Sequence, residues 1–88
     1  MRHKAKEEKL TVIARSPFHV YYEGPADIVS GANSVGKFDV LPGHADFFSV
    51  MGPCEVEIET GADKPIQFKI TGGIVGVRDD EVMLFVNM

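Results

Sequence analysis

The sequence predicts an all-β fold, a sandwich or a barrel. Three observations carry this. From residue 10 onward, short runs of β-branched and aromatic residues alternate with Gly and Pro punctuation. Apolar residues nowhere recur at i, i+3, i+4 and i+7 over three turns, so no amphipathic helix is indicated. Two segments, 54–60 (CEVEIET) and 65–71 (PIQFKIT), alternate apolar and polar residues as half-buried strands do.

In chain order, residues 1–9 form a charged N-terminal tail and 10–88 the domain. Residues 10–15 (LTVIAR) read as a strand, broken by Ser16 and Pro17. Residues 18–23 (FHVYYE) read as the next, with Phe18, Val20 and Tyr22 on one face and His19, Tyr21 and Glu23 on the other. Gly24 and Pro25 read as a turn, 26–30 as a short strand and 31–36 (GANSVG) as a loop. Residues 37–41 form a strand that stops at Pro42 and Gly43; Pro lacks an N–H and Gly tolerates positive φ, so a tight surface turn is predicted. Residues 46–51 continue as a strand or a short bridging segment.

In the two alternating segments Val56, Ile58, Ile66, Phe68 and Ile70 face inward, and Glu55, Glu57, Glu59, Gln67 and Lys69 face water, with 61–64 (GADK) as the hairpin turn. Lys69 is placed across from one of the glutamates. Gly72 and Gly73 mark a kink or bulge. The strands 74–78 and 81–87 are joined at Asp79 and Asp80 by a two-residue turn or a short loop.

Composition narrows the function. Eighty-eight residues fit one domain, and a single cysteine, Cys54, rules out an internal disulfide within the chain. The three histidines and Cys54 show no paired zinc-ligand spacing. A net charge of −4 argues against general nucleic-acid binding, which needs clustered Lys and Arg. No apolar run approaches the ~18–20 residues of a membrane-crossing helix, and no signal peptide is recognised.

No phosphate-binding glycine motif is present, so no cofactor is expected. Asp39, His44 and Asp46 are the side chains a metal at the turn would use, but surface Asp and His near a turn are common. His44 has no serine or cysteine at a recognisable nucleophile spacing; Ser49 and Cys54 are merely near it in sequence. If Phe47 and Phe48 are both strand residues they point to opposite faces, and one can serve as an interface anchor; burial of both is the alternative. A free-standing β-sandwich module for a small molecule or carbohydrate is the competing reading, weakened by the absence of Trp.

Three stretches carry a family resemblance: Tyr22-Glu23-Gly24; Phe38-Asp39-Val40-Leu41-Pro42-Gly43-His44-Ala45; and Gly72-Gly73-Ile74-Val75-Gly76-Val77-Arg78-Asp79. They resemble the N-terminal domain of the epsilon subunit of F-type ATP synthases (delta in mitochondria). Its pattern runs Y-E-G, F-G-I/V-L-P-G-H-A and S-G-G-F-L-E-V-R-D. The resemblance spans residues 12–86 and implies a flattened sandwich of about ten strands in two sheets.

It further implies a non-catalytic central-stalk role, in which the domain packs on the gamma subunit and rests on the c-ring, with no nucleic-acid or small-molecule partner and no insertion into the membrane. The complex would lie peripherally on the cytoplasmic face of a bacterial membrane. Lys37, Pro42, Gly43 and His44 are the expected c-ring contacts, and Ser16, Asp46 and Phe48 the expected gamma contacts.

Lys37 stands where many members carry an acidic residue, Asp39 replaces a glycine and Asp46 a proline. The chain stops at Met88, where the family continues into a helical hairpin that can inhibit ATP hydrolysis. The expectation is therefore a domain without that hairpin or its functions.

Overall fold

The computed structural model describes residues 9–88. Nine strands make up the regular structure: β1 (Leu10–Ser16), β2 (His19–Ala26), β3 (Ile28–Asn33), β4 (Gly36–Val40), β5 (Phe47–Met51), β6 (Cys54–Glu59), β7 (Ile66–Ile70), β8 (Gly72–Arg78) and β9 (Glu81–Asn87). No helix occurs among the described residues. The all-β expectation holds. Among the described residues the strands are nine, where about ten were expected, and they hydrogen-bond as one continuous sheet that folds over on itself. The tail reading at residues 1–8 lies outside the described residues.

The sheet order is β2-β1-β9-β8-β5-β3-β6-β7, with β4 on the free side of β3. The fold-over comes between β5 and β3, which share the single pair Asn33↔Met51. Two layers result, β2-β1-β9-β8-β5 and β4-β3-β6-β7. The pairing of β1 with β9 is parallel; every other pairing is antiparallel. Between the layers lies a core of Leu10, Val12, Val29, Val40, Met51, Val56, Ile58, Val75, Val82, Leu84 and Val86, with every strand except β2 burying one side-chain parity.

The alternation read for residues 18–23 fails at a bulge. Ala14 pairs with Tyr22 and Arg15 with Val20, so Tyr21 is the extra residue. Both tyrosines then turn inward, Val20 turns outward, and Phe18 sits at the β1–β2 turn, 95% exposed. Tyr21 stacks on Phe68 of β7 at 5.4 Å, closing the edge where the layers would otherwise splay. Gly24 and Pro25 remain within β2 and are not a turn. The strand is an edge, where proline leaves no ladder bond broken. Likewise 31–33 continue β3, and the hairpin loop shrinks to Ser34 and Val35, capped by Asn33 Oδ1 accepting from the Val35 and Gly36 amides at 2.9 and 3.2 Å.

Asp79 and Asp80 form a two-residue hairpin turn, with φ of 52° and 64°. Gly73 is a packing device: a Cβ there would meet Phe85 O at 2.5 Å and Val86 Cα at 2.9 Å. Lys69 lies opposite Glu55 in the β6–β7 register, as expected.

Candidate interaction surface

The two ends of the sandwich differ. At the prolyl-glycyl end, Pro42 and Gly43 occupy the centre of a β-turn closed by the His44 N–H donating to Leu41 O at 3.1 Å, with φ +87° at Gly43. The Gly43 N–H donates to Asp80 Oδ1 at 2.8 Å, and the Thr11 N–H donates to Asp80 O at 2.8 Å. Asp80 thus ties the turn to the β8–β9 hairpin and to β1. His44 is exposed, its ring edge-on to Phe47 at 5.6 Å and its Nδ1 2.7 Å from Ala45 O. The opposite end carries the β1–β2 turn, the Ser34 and Val35 tip and the end of β9. Val35 there is 92% exposed.

Lys37 belongs to this second end, beside Val35, paired with Ala32. Five residues of extended chain, about 16 Å at ~3.3 Å per residue, separate it from Pro42. The structure therefore does not bring Lys37 together with Pro42, Gly43 and His44. Its side chain borders a shallow acidic concavity on the outer face of the second layer, with Asp39, Glu55 and Glu57. Asp39 accepts from Ser30 Oγ at 2.6 Å, and Gln67 Nε2 donates to Glu57 at 3.3 Å. Among the described residues no group of three or more His, Cys, Asp or Glu gathers in a metal-holding arrangement.

The outer face of the first layer is apolar. Cross-strand neighbours run Phe48–Gly76–Met83–Ile13 in one row and Val50–Ile74–Phe85–Arg15–Val20 in the next. Phe48 is 72% exposed, Val50 67% and Met83 54%. Ile74, Phe85 and Val20 are exposed as well. Contiguous apolar surface of this kind marks an interaction site. Phe48 and Asp46 are brought together beside this face, next to Arg78. Ser16 lies at the far end of β1, its Oγ accepting from the Phe18 N–H. Phe47 turns inward against Phe38, which resolves the Phe47/Phe48 alternative in favour of an exposed Phe48.

Val50, Ile74, Met83 and Phe85 were missed by the sequence reading. Their signal was available: residues 82–86 (VMLFV) are apolar at both parities, so β9 carries hydrophobic side chains on both of its faces. No helix of the described residues is long and apolar enough to cross a membrane.

Known proteins share this architecture. Residues 6–88 match the family model described as ATP synthase, Delta/Epsilon chain, beta-sandwich domain. The ATP synthase epsilon chain of Brevibacillus brevis is 30% identical over 76 residues, which is 86% of this chain and 58% of that relative. That of Leptospira borgpetersenii is 33% identical over 76 residues, 86% of this chain and 59% of the relative. The chain thus spans less than two thirds of the length of these relatives.

Among solved structures, a chain of the Euglena gracilis mitochondrial ATP synthase (OSCP/F1/c-ring) superposes with a TM-score of 0.85 at 19% identity, covering 100% of this chain and 56% of that one. A chain from the central stalk and c-ring of the Tetrahymena thermophila mitochondrial ATP synthase gives 0.79 at 19% identity, covering 96% and 67%. At such identities the structures show a shared fold. With the family model matched over nearly its whole length, the chain belongs to the ATP synthase delta/epsilon-chain β-sandwich domain family.

Proposed function

We propose that this domain is a central-stalk element of a rotary ATP synthase, helping to couple c-ring rotation to ATP synthesis. It does no chemistry itself. The apolar outer face of β5, β8 and β9 packs on the gamma subunit, and one end of the sandwich rests on the c-ring, within a peripheral membrane-associated complex. The observation that carries this reading is that apolar face, together with the family membership.

The molecule exposes 5609 Å². Two standard interface patches of ~800 Å² each would take less than a third of it, so two partners fit at once. Its valine-rich, close-packed core gives little under load.

Because Lys37 and Pro42 sit at opposite ends, one small contact does not hold both. We assign the ring contact to the end bearing Lys37 and Val35. That tip projects freely and presents nearly bare apolar surface, whereas Pro42, Gly43 and His44 form a turn tied down by Asp80.

Pull-down with purified gamma subunit tests the face: Phe48→Glu with Phe85→Glu abolishes capture while the protein stays folded. Capture undiminished by that double change overturns the gamma assignment. Cysteine cross-linking to the c-ring from position 35, and none from position 44, is the expected result for the ring end. The reverse pattern overturns that orientation.

A further inference from the structure

Strand β8 contains three glycines, Gly72, Gly73 and Gly76; Gly72 opens the strand, and of the two within it only one is explained from inside the chain. Gly73 is forced, because any Cβ meets the β9 backbone at 2.5 Å. Gly76 is not. Its φ is not in the left-handed region, and a Cβ there meets only Phe48 Cδ1, at 3.9 Å. It sits mid-strand between Phe48 and Met83, on the layer's outer face. A glycine inside a central strand weakens it, and such glycines mark places where another chain approaches closely.

The surface around Gly76 has the matching shape. A depression of about 460 Å³ opens on one side, floored by Ile13, Gly76 and Met83 and rimmed by Glu23, Arg78 and Glu81. A second, of about 360 Å³, opens on the other side between Phe48, Asp46 and Arg78. Gly76 and Arg78 line both. With no side chain at Gly76, nothing from that residue stands between the two hollows.

We propose that Gly76 is the floor of a socket that receives one bulky apolar side chain of the partner covering this face. The proposal rests on the gamma reading above and names the partner chemistry: an aliphatic or aromatic knob, flanked by a basic residue. The floor is apolar. The rim sets three carboxylates, Glu23, Asp46 and Glu81, against the single guanidinium of Arg78, which favours a cation beside the knob.

The test is a size series at this position, Gly76→Ala, Gly76→Leu and Gly76→Trp, in the full 88-residue chain. Binding to purified gamma subunit is measured by titration calorimetry, and folding by thermal melting. Gln67→Leu, on the outer face of the other layer, is the control. Because a Cβ at Gly76 has room, the alanine variant melts no lower than the wild type.

Filling the socket forfeits burial of one large side chain, so Gly76→Leu weakens gamma binding about 10- to 100-fold. Gly76→Trp weakens it further, and Gln67→Leu leaves it unchanged. Glu23→Lys weakens binding most at low salt. If the wild type binds and the folded leucine and tryptophan variants bind equally well, the socket is overturned while the gamma face stands. If the wild type itself does not bind gamma, both fall.

Discussion

Replacing Gly73 with alanine is the most demanding test of the packing described here. The added methyl would lie 2.5 Å from Phe85 O, 2.9 Å from Val86 Cα and 3.1 Å from Val86 Cγ1. Two of these are backbone atoms and cannot swing aside. Ordinary van der Waals contact begins near 3.4 Å, so β8 and β9 must part locally by 3.4 − 2.5 = 0.9 Å. β9 cannot simply retreat, because β1 is paired along its other edge. Overpacking typically costs ~1–3 kcal/mol, and a rigid obstacle puts this site at the upper end. Against it stands a gain of ~0.5–1 kcal/mol from reduced freedom of the unfolded chain.

The net expectation for Gly73→Ala is a destabilisation of about 2 kcal/mol. For a domain of this size, each kcal/mol moves Tm by ~4–8 °C, so the shift is roughly 8–16 °C. Urea unfolding with an unchanged m-value gives the free energy directly. Gly76→Ala, three residues along the same strand, is the internal comparison and is neutral or stabilising by up to ~1 kcal/mol. A Gly73→Ala protein within 0.5 kcal/mol of wild type would refute the reasoning, because it would mean the β8–β9 pair yields freely.

Asp80→Ala removes the acceptor for the Gly43 amide and leaves a left-handed backbone position without its aspartate, costing about 1–2 kcal/mol and speeding hydrogen exchange at Gly43. Asp80→Gly loses the same hydrogen bond but relieves the backbone, so it costs less in the same urea series. Leu84→Ala, at 1% exposure between the layers, costs ~2–5 kcal/mol by chemical denaturation. Phe48→Ser, at an exposed position, changes stability by no more than ~0.5 kcal/mol in thermal melts while reducing capture by gamma.

The fold was largely legible because its signals are local. Alternation at 54–60 and 65–71 marked β6 and β7 and the inward placement of Val56, Ile58 and Ile70. Pro42 and Gly43 marked their turn. Errors fell where position within the sheet overrides local chemistry. Pro25 reads as a breaker, yet an edge strand tolerates it. Tyr21 and Tyr22 read as facing opposite ways, yet one bulge turns both inward, Tyr21 onto Phe68. Asp79 and Asp80 take the left-handed turn that their type adopts less readily than Asn-Gly, and the closed hydrogen bonding of Asp80 to Gly43 and Thr11 favours it.

The candidate surface was less legible. Parity said only that one of Phe47 and Phe48 can face outward, and Val50, Ile74, Met83 and Phe85 become neighbours only through the β5-β8-β9 order, which no single segment encodes. The separation of Lys37 from Pro42 follows from β4 being extended, so residues close in sequence lie at opposite ends of the sandwich.

The contrast between the two outer faces gives the domain a direction. On the second layer, Asp39, Glu55, Glu57 and Glu59 keep the surface hydrated, and covering it would bury carboxylates at high cost. On the first, β9 already buries Val82, Leu84 and Val86 against the core and offers Met83 and Phe85 outward. A partner there meets apolar surface at the centre, with Glu23, Asp46, Arg78 and Glu81 at its margin. In the proposed assembly one strand serves two interiors, the sandwich's own and the one the partner would complete. Load applied at that face passes directly into the packed core, without crossing a loop. The glycine at position 76 fits the same logic: it weakens the isolated strand slightly and leaves room for the proposed partner.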